Sequence, residues 1–286
     1  MIASIKIGVI VGKVYSWFIK NKIVIKMPDG VPPGVANSFV GLIPGTVIVT
    51  GSVLLYAIFD MVSKTTFVDF IYKVLSLPLQ GLTSSFGGAI VMAFAMSFLW
   101  WFGIHGSTIV SGIMTGVLMS NMLANQDILD AGNMLTTANG YIVTFNFRTM
   151  LQIITGSGIT IGIVVYMLFF AKSQQFKQLG KLSIGPAIFN INEPVLFGSP
   201  VVMILLIPFI GVPIVATIVA YTSMKLGLVP LMGNVNPPWT TPPIISGFLV
   251  GGWRLALLQV VVMAISIFGY FPFIRKQDQL NYEQEQ

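Results

Sequence analysis

Cysteine is absent from this 286-residue chain, histidine occurs once, and only one of its three glutamates lies outside the last four residues. Without cysteine there are no disulfides and no thiolate metal sites, although the redox compartment stays unspecified. Charged residues make up 8% of the chain against 55% hydrophobic ones, and the mean hydropathy is +0.87. That balance excludes a soluble domain. The net charge of +6 is spread over short loops rather than gathered into a basic cluster, so nothing points to nucleic acid. Met1–Gly12 lacks the basic start and small-residue cleavage site of a secretory signal.

What remains is apolar and periodic. Hydrophobic stretches fall near residues 2–19, 36–59, 84–104, 107–124, 149–171, 199–222 and 244–273, each about as long as a hydrocarbon core of about 30 Å requires. The first is interrupted by Lys6 and Lys13 and also suits an interfacial helix. With the carboxyl terminus cytoplasmic and strict alternation, Lys20, Lys22, Lys26, Lys172, Lys177, Lys181, Arg275 and Lys276 share one side, against Lys64, Lys73, Arg148 and Lys225 on the other. Residues 183–198 and 229–243 fit neither a spanning helix nor an ordinary loop, because proline and glycine punctuate sequence apolar enough to enter the bilayer. Backbone freed by such residues survives at depth only when buried in protein or lining a wet cavity. The fold class is therefore an all-α polytopic membrane protein with about six to seven transmembrane helices and two re-entrant hairpins, one entering from each face.

The candidate site rests on Glu193, which sits in the run Asn190–Gly198, and on His105, which closes Trp100-Trp101-Phe102-Gly103-Ile104-His105. An acid at membrane depth is costly and marks function by default. Ionised Glu193 accepts hydrogen bonds through two oxygens, Asn190 and Asn192 donate and accept beside it, and together they suit a neutral polyhydroxylated ligand. His105 orients a hydroxyl or takes its proton. Trp100, Trp101 and Trp239 offer flat faces for a sugar ring. Arg254 is a candidate counter-charge for Glu193. Plainer readings compete with several of these. Trp and His are common at membrane interfaces, and Arg148 and Arg254 are simply explained as anchors that snorkel to water.

Four segments, Ile25–Ala36, Trp100–Gly106, Asn190–Gly198 and Trp239-Thr240-Thr241-Pro242-Pro243, closely resemble the membrane component IIC of the lactose/cellobiose branch of the bacterial phosphotransferase system. The resemblance covers essentially the whole chain. It implies a permease that binds a β-linked disaccharide and presents its 6-hydroxyl to a phosphocysteine on a partner IIB, since this chain has no cysteine. IIA, HPr and enzyme I stand behind IIB, and no cofactor is implied. Carried over by position, Glu193 matches the acid that bonds sugar hydroxyls, His105 the histidine beside the hydroxyl to be phosphorylated, and Trp239 an aromatic sugar contact. Family members carry a further block of helices before the segment matching residues 1–35, and that block makes much of a homodimer interface. The chain is therefore expected to correspond to the carboxyl-terminal two-thirds of such a protein.

The expected organisation is a remnant of the dimerisation-side helices at 1–83, a substrate-binding transport domain at 84–274, and a cytoplasmic tail at 275–286. Two alternatives accompany this reading: a proton-coupled secondary sugar transporter with Glu193 as proton carrier, and an inactive shortened permease. An intramembrane hydrolase using His105 with Ser107 or Ser111 lacks both a nucleophile elbow and an H-E-x-x-H motif.

Overall fold

A computed structural model describes residues 2–26, 28, 39–63, 85–199 and 201–286. Lys64, Lys73 and most of the Ile25–Ala36 segment lie outside them. The chain divides into two compact units, Met1–Pro78 and Leu79–Gln286. In the first, α1 (Ile2–Lys20) packs on α2 (Leu42–Ser63).

The second unit holds α3 (Phe86–Phe98), α4 (Gly106–Asp130), α5 (Ile161–Phe169), α6 (Gln174–Ile188), α7 (Glu193–Gly198), α8 (Leu206–Lys225) and α9 (Ile245–Gln284), and no strand occurs among the described residues. Helices α2, α4, α8 and α9 are long and apolar enough to cross a membrane. Helix α9 bends at Gly251 and Gly252. Its buried face, with Leu255, Val262, Tyr270 and Ile274, joins Phe147, Leu151, Ile163 and Met167 in one apolar core.

The segment expected as a single helix over 149–171 is broken. A short π-helical turn at Arg148–Gln152 gives way to irregular backbone, and α5 resumes only at Ile161. Thr155, Gly156, Gly158 and Ile159 all take positive φ, a region that glycine enters without strain. A Cβ on Gly156 would collide with the side chain of Asn192. The carbonyls and amides released by the break find partners on α9, as buried backbone groups must. Tyr270 Oη donates to Gly158 O at 2.6 Å, Ser266 Oγ donates to Ile159 O and accepts from Gly162 N at 2.9 Å, and Gln259 Nε2 donates to Met150 O at 3.3 Å. On the opposite side Gln152 Nε2 donates to Ala89 O of α3 at 2.8 Å.

Of the two hairpins, 183–198 is a helix–turn–helix made from the end of α6, a turn with Asn190 at φ 64°, and α7. The 229–243 segment has no helix. It is held instead by asparagine side chains: Asn125 Nδ2 donates to Met232 O at 2.9 Å and Asn146 Nδ2 to Val235 O at 2.8 Å. The two hairpins meet, since Asn190 Nδ2 donates to Trp239 O at 2.8 Å and to Thr241 O at 3.0 Å. Residues 275–284 are not a free tail but the last turns of α9. Asp278 is buried and accepts from Ser173 N at 3.0 Å and Lys172 N at 2.8 Å.

Candidate functional site

A cavity of about 460 Å³ lies where the start of α4, the broken segment and both hairpins converge. Its lining includes His105, Ser111, Arg148, Asn192, Glu193 and Trp239. That size falls within the roughly 300–1,000 Å³ usual for small-molecule sites.

The sequence places His105 at the N-cap of α4. The 3₁₀ turn Leu99–Phe102 ends at Gly103 in the left-handed region, and α4 begins at Gly106, where a Cβ would run into the Met96 carbonyl. This close approach of α3 and α4 sets the ring's position. His105 Nδ1 accepts from Thr108 N at 3.3 Å and lies 2.9 Å from Thr108 Oγ1. An amide can only donate, so Nδ1 of the neutral ring is bare and the proton sits on Nε2. Nε2 faces Glu193 Oε1 at 3.9 Å. That separation is too long for a direct hydrogen bond, yet a hydroxyl oxygen beside the pair, about 2.8 Å from each, can accept from one and donate to the other. Both side chains are about half exposed, at 46% and 48%, so a ligand can reach them. Trp100 backs the imidazole, with ring centroids 4.5 Å apart.

Glu193 opens α7 immediately before Pro194, a residue suited to a helix's first turn because no amide is lost there. Its position depends on the two asparagines that precede it. Asn192 Nδ2 donates to Ser157 O at 2.7 Å and to Thr160 Oγ1 at 3.0 Å. Asn190 accepts from Thr155 N at 2.8 Å while its Nδ2 spends both protons on the second hairpin. All four N–H donors of these amides are therefore engaged within the protein. Ser107 Oγ and Ser157 Oγ, 2.6 Å apart, tie α4 to the same break.

The other expected residues divide. Trp239 borders the cavity. Trp101 does not. It is exposed and packs against Phe98 and Phe102, and Trp100 holds the place beside His105. Arg254 is exposed, stacks over Trp253 at 5.6 Å and makes no ion pair with Glu193.

Arg148, expected as an interfacial anchor, is only 5% exposed and lines the cavity. The π-helical turn it begins directs it inward, where Nη1 donates to Ser111 Oγ and the guanidinium lies 5.1 Å over the Phe145 ring. Nε is buried without a partner, and among the described residues no carboxylate lies within 4.0 Å of the group. Burying an unpaired cation costs several kcal/mol. One hydrogen bond to a charged group, at about 1.5–3 kcal/mol, and a ring contact of about 0.5–2 kcal/mol offset only part of it.

Broken segments, side chains that satisfy the freed backbone, and a cavity between two hairpins mark a polytopic membrane protein with the features that transporters use to build a midplane site. The chain belongs to the phosphotransferase system EIIC family, whose model matches residues 1–216. It is 40% identical over 286 residues to the lichenan permease IIC component of Bacillus subtilis (strain 168), covering 98% of this chain and 62% of that one. It is 38% identical over 284 residues to the cellobiose-specific EIIC component of Geobacillus stearothermophilus, with 98% of this chain and 62% of that one covered. Among solved structures, the transporter ChbC, the IIC component from the N,N'-diacetylchitobiose-specific phosphotransferase system, is similar at a TM-score of 0.74 and 40% identity, with 99% of this chain and 66% of that one covered. The chain thus spans about 62% of the length of these curated relatives.

Proposed function

We propose that this chain is the sugar-translocating part of a IIC permease in the bacterial inner membrane. It binds a β-linked disaccharide of the cellobiose, lactose or chitobiose kind and presents its 6-hydroxyl to a phosphocysteine on IIB. IIA, HPr and enzyme I resupply the phosphoryl group, and the carboxyl terminus faces the cytoplasm with them. The transport unit is the 84–274 region, and a homodimer belongs to the reading of the complete protein. Kinship with permeases named for lichenan, cellobiose and N,N'-diacetylchitobiose supports the sugar class.

The observation that carries the proposal is the 3.9 Å gap between His105 Nε2 and Glu193 Oε1 at a cavity of sugar-binding size. A sugar hydroxyl in that gap accepts from His105 and donates to Glu193. In transfer, the hydroxyl oxygen bonds to phosphorus, the S–P bond of the phosphocysteine breaks, the electron pair stays on the IIB thiolate, and Glu193 takes the hydroxyl proton. Because Nε2 is a donor, His105 orients the nucleophile rather than deprotonating it. Asn190 and Asn192 act by holding Glu193 in place through hydrogen bonds within the protein. Trp239 contributes a ring face at the cavity's edge, whereas Trp101 carries no part.

The test is binding of cellobiose, lactose and N,N'-diacetylchitobiose to the purified chain in detergent, followed by phosphorylation assays with phosphorylated IIB proteins. Saturable binding of at least one disaccharide, and its IIB-dependent phosphorylation, are expected. Uptake into vesicles lacking the soluble proteins, driven by a pH gradient, would instead establish a proton-coupled carrier.

A further inference from the structure

We infer that Arg148 forms an anion subsite in the sugar cavity, holding the phosphoryl group once it is on the sugar's 6-oxygen. The inference rests on the permease reading for the identity of the ligand, but its grounds are independent. A neutral disaccharide brings no charge, and a cavity built only for it has no use for a cation that is 5% exposed and has no acidic partner among the described residues. The cation is not a surface group folded inward by chance. Backbone geometry at the π-helical turn directs it, Ser111 Oγ receives Nη1, and Nε remains without an acceptor. The hydroxyls of Ser111, Thr149 and Thr108 border the same cavity but already donate to Ser107 O, Phe145 O and His105 Nδ1, so the guanidinium is the group left to meet an anion. Its planar fork matches the oxygens of a phosphate monoester.

The chemistry of the site also requires it. Glu193 shares the cavity, and once it has released the proton taken in transfer its carboxylate repels the phosphate dianion. A fixed cation in the same enclosure offsets that repulsion, so the product is held while IIB withdraws. The same cation does nothing for the substrate before transfer. Arg148 therefore discriminates between the sugar and its phosphate.

The experiment compares the disaccharide that binds best with its 6-phosphate, on the wild type and on Arg148→Gln and Arg148→Lys, by calorimetry in detergent. Arg148→Gln is expected to weaken binding of the sugar phosphate about tenfold or more while the neutral sugar changes less than about threefold, and Arg148→Lys to fall between. Retained binding of the neutral sugar shows that a variant is folded. If Arg148→Gln does not yield folded protein, Arg148→Lys decides by the same comparison. An unchanged affinity for the phosphate, or equal loss for both ligands, overturns the subsite and leaves the permease reading standing. A wild type that binds neither the disaccharides nor their phosphates overturns both.

Discussion

At the scale of single residues, the proposed site depends on two side chains, His105 and Glu193, whose Nε2 and Oε1 lie 3.9 Å apart. Replacing Glu193 by Gln removes a charged acceptor, so disaccharide affinity is expected to fall about 10- to 100-fold, the equivalent of one charge-assisted hydrogen bond. Replacing His105 by Ala is expected to reduce phosphoryl transfer more than binding, because other hydroxyls still anchor the sugar. Titration of each purified variant against sugar, alongside a phosphorylation rate, separates the two; equal loss of binding and transfer in His105→Ala would remove its orienting role. Both residues stand out in the sequence as solitary ionisable groups among apolar neighbours. Arg148 does not, because an arginine between Asn146-Phe147 and an apolar run looks the same whether it snorkels or turns inward. Nor does sequence distinguish Trp100 from Trp101, since a 3₁₀ turn rather than an α-helical one decides which ring meets the imidazole.

At the scale of elements, the break between the π-helical turn and α5 does most to shape the cavity. Gly156 is its pivot, with φ 94° and no room for a Cβ beside Asn192. Gly156→Ala is expected to cost about 1–3 kcal/mol of stability through backbone strain and to displace Asn192, and with it Glu193. Gly87→Ala serves as the control, because a Cβ there meets nothing within 4 Å and its backbone is helical. Thermal melting in detergent with parallel sugar titrations should show Gly156→Ala losing both stability and affinity and Gly87→Ala losing neither. The Gly156-Ser157-Gly158 run was a legible signal for this break. Hydropathy obscured it, since 149–171 is apolar enough throughout to be taken as one span. The hairpins were legible for the converse reason, their prolines and glycines interrupting apolar sequence densely enough to forbid a continuous helix.

At the scale of the whole molecule, α9 and the residue that caps it, Glu285, tie the second unit together. At its far end Glu285 caps α6, accepting from Gln174 N at 2.8 Å, Gln175 N at 3.0 Å and Ser173 Oγ at 2.9 Å. The backbone amides of Gln175 and Gln174 hold this carboxyl below its usual pKa range. A lowered carboxyl pKa stabilises the fold above the unfolded value and ceases to do so as pH falls through the folded one. The cap is thus complete at neutral pH and is lost in acid. Hydrogen exchange at the Gln174 and Gln175 amides is expected to be faster in Glu285→Gln than in the wild type at neutral pH. Indistinguishable exchange in the two proteins would show that the cap does not hold α6. What the sequence by itself determined was membrane class, the apolar segments and the rarity of its ionisable groups, because these are local properties that add along the chain. Only the tertiary structure decided which of those groups share an enclosure. That choice rests on hydrogen bonds between segments as far apart as Asn192 and Ser157 or Tyr270 and Gly158, and such bonds form only once the backbone that needs them has been broken and buried.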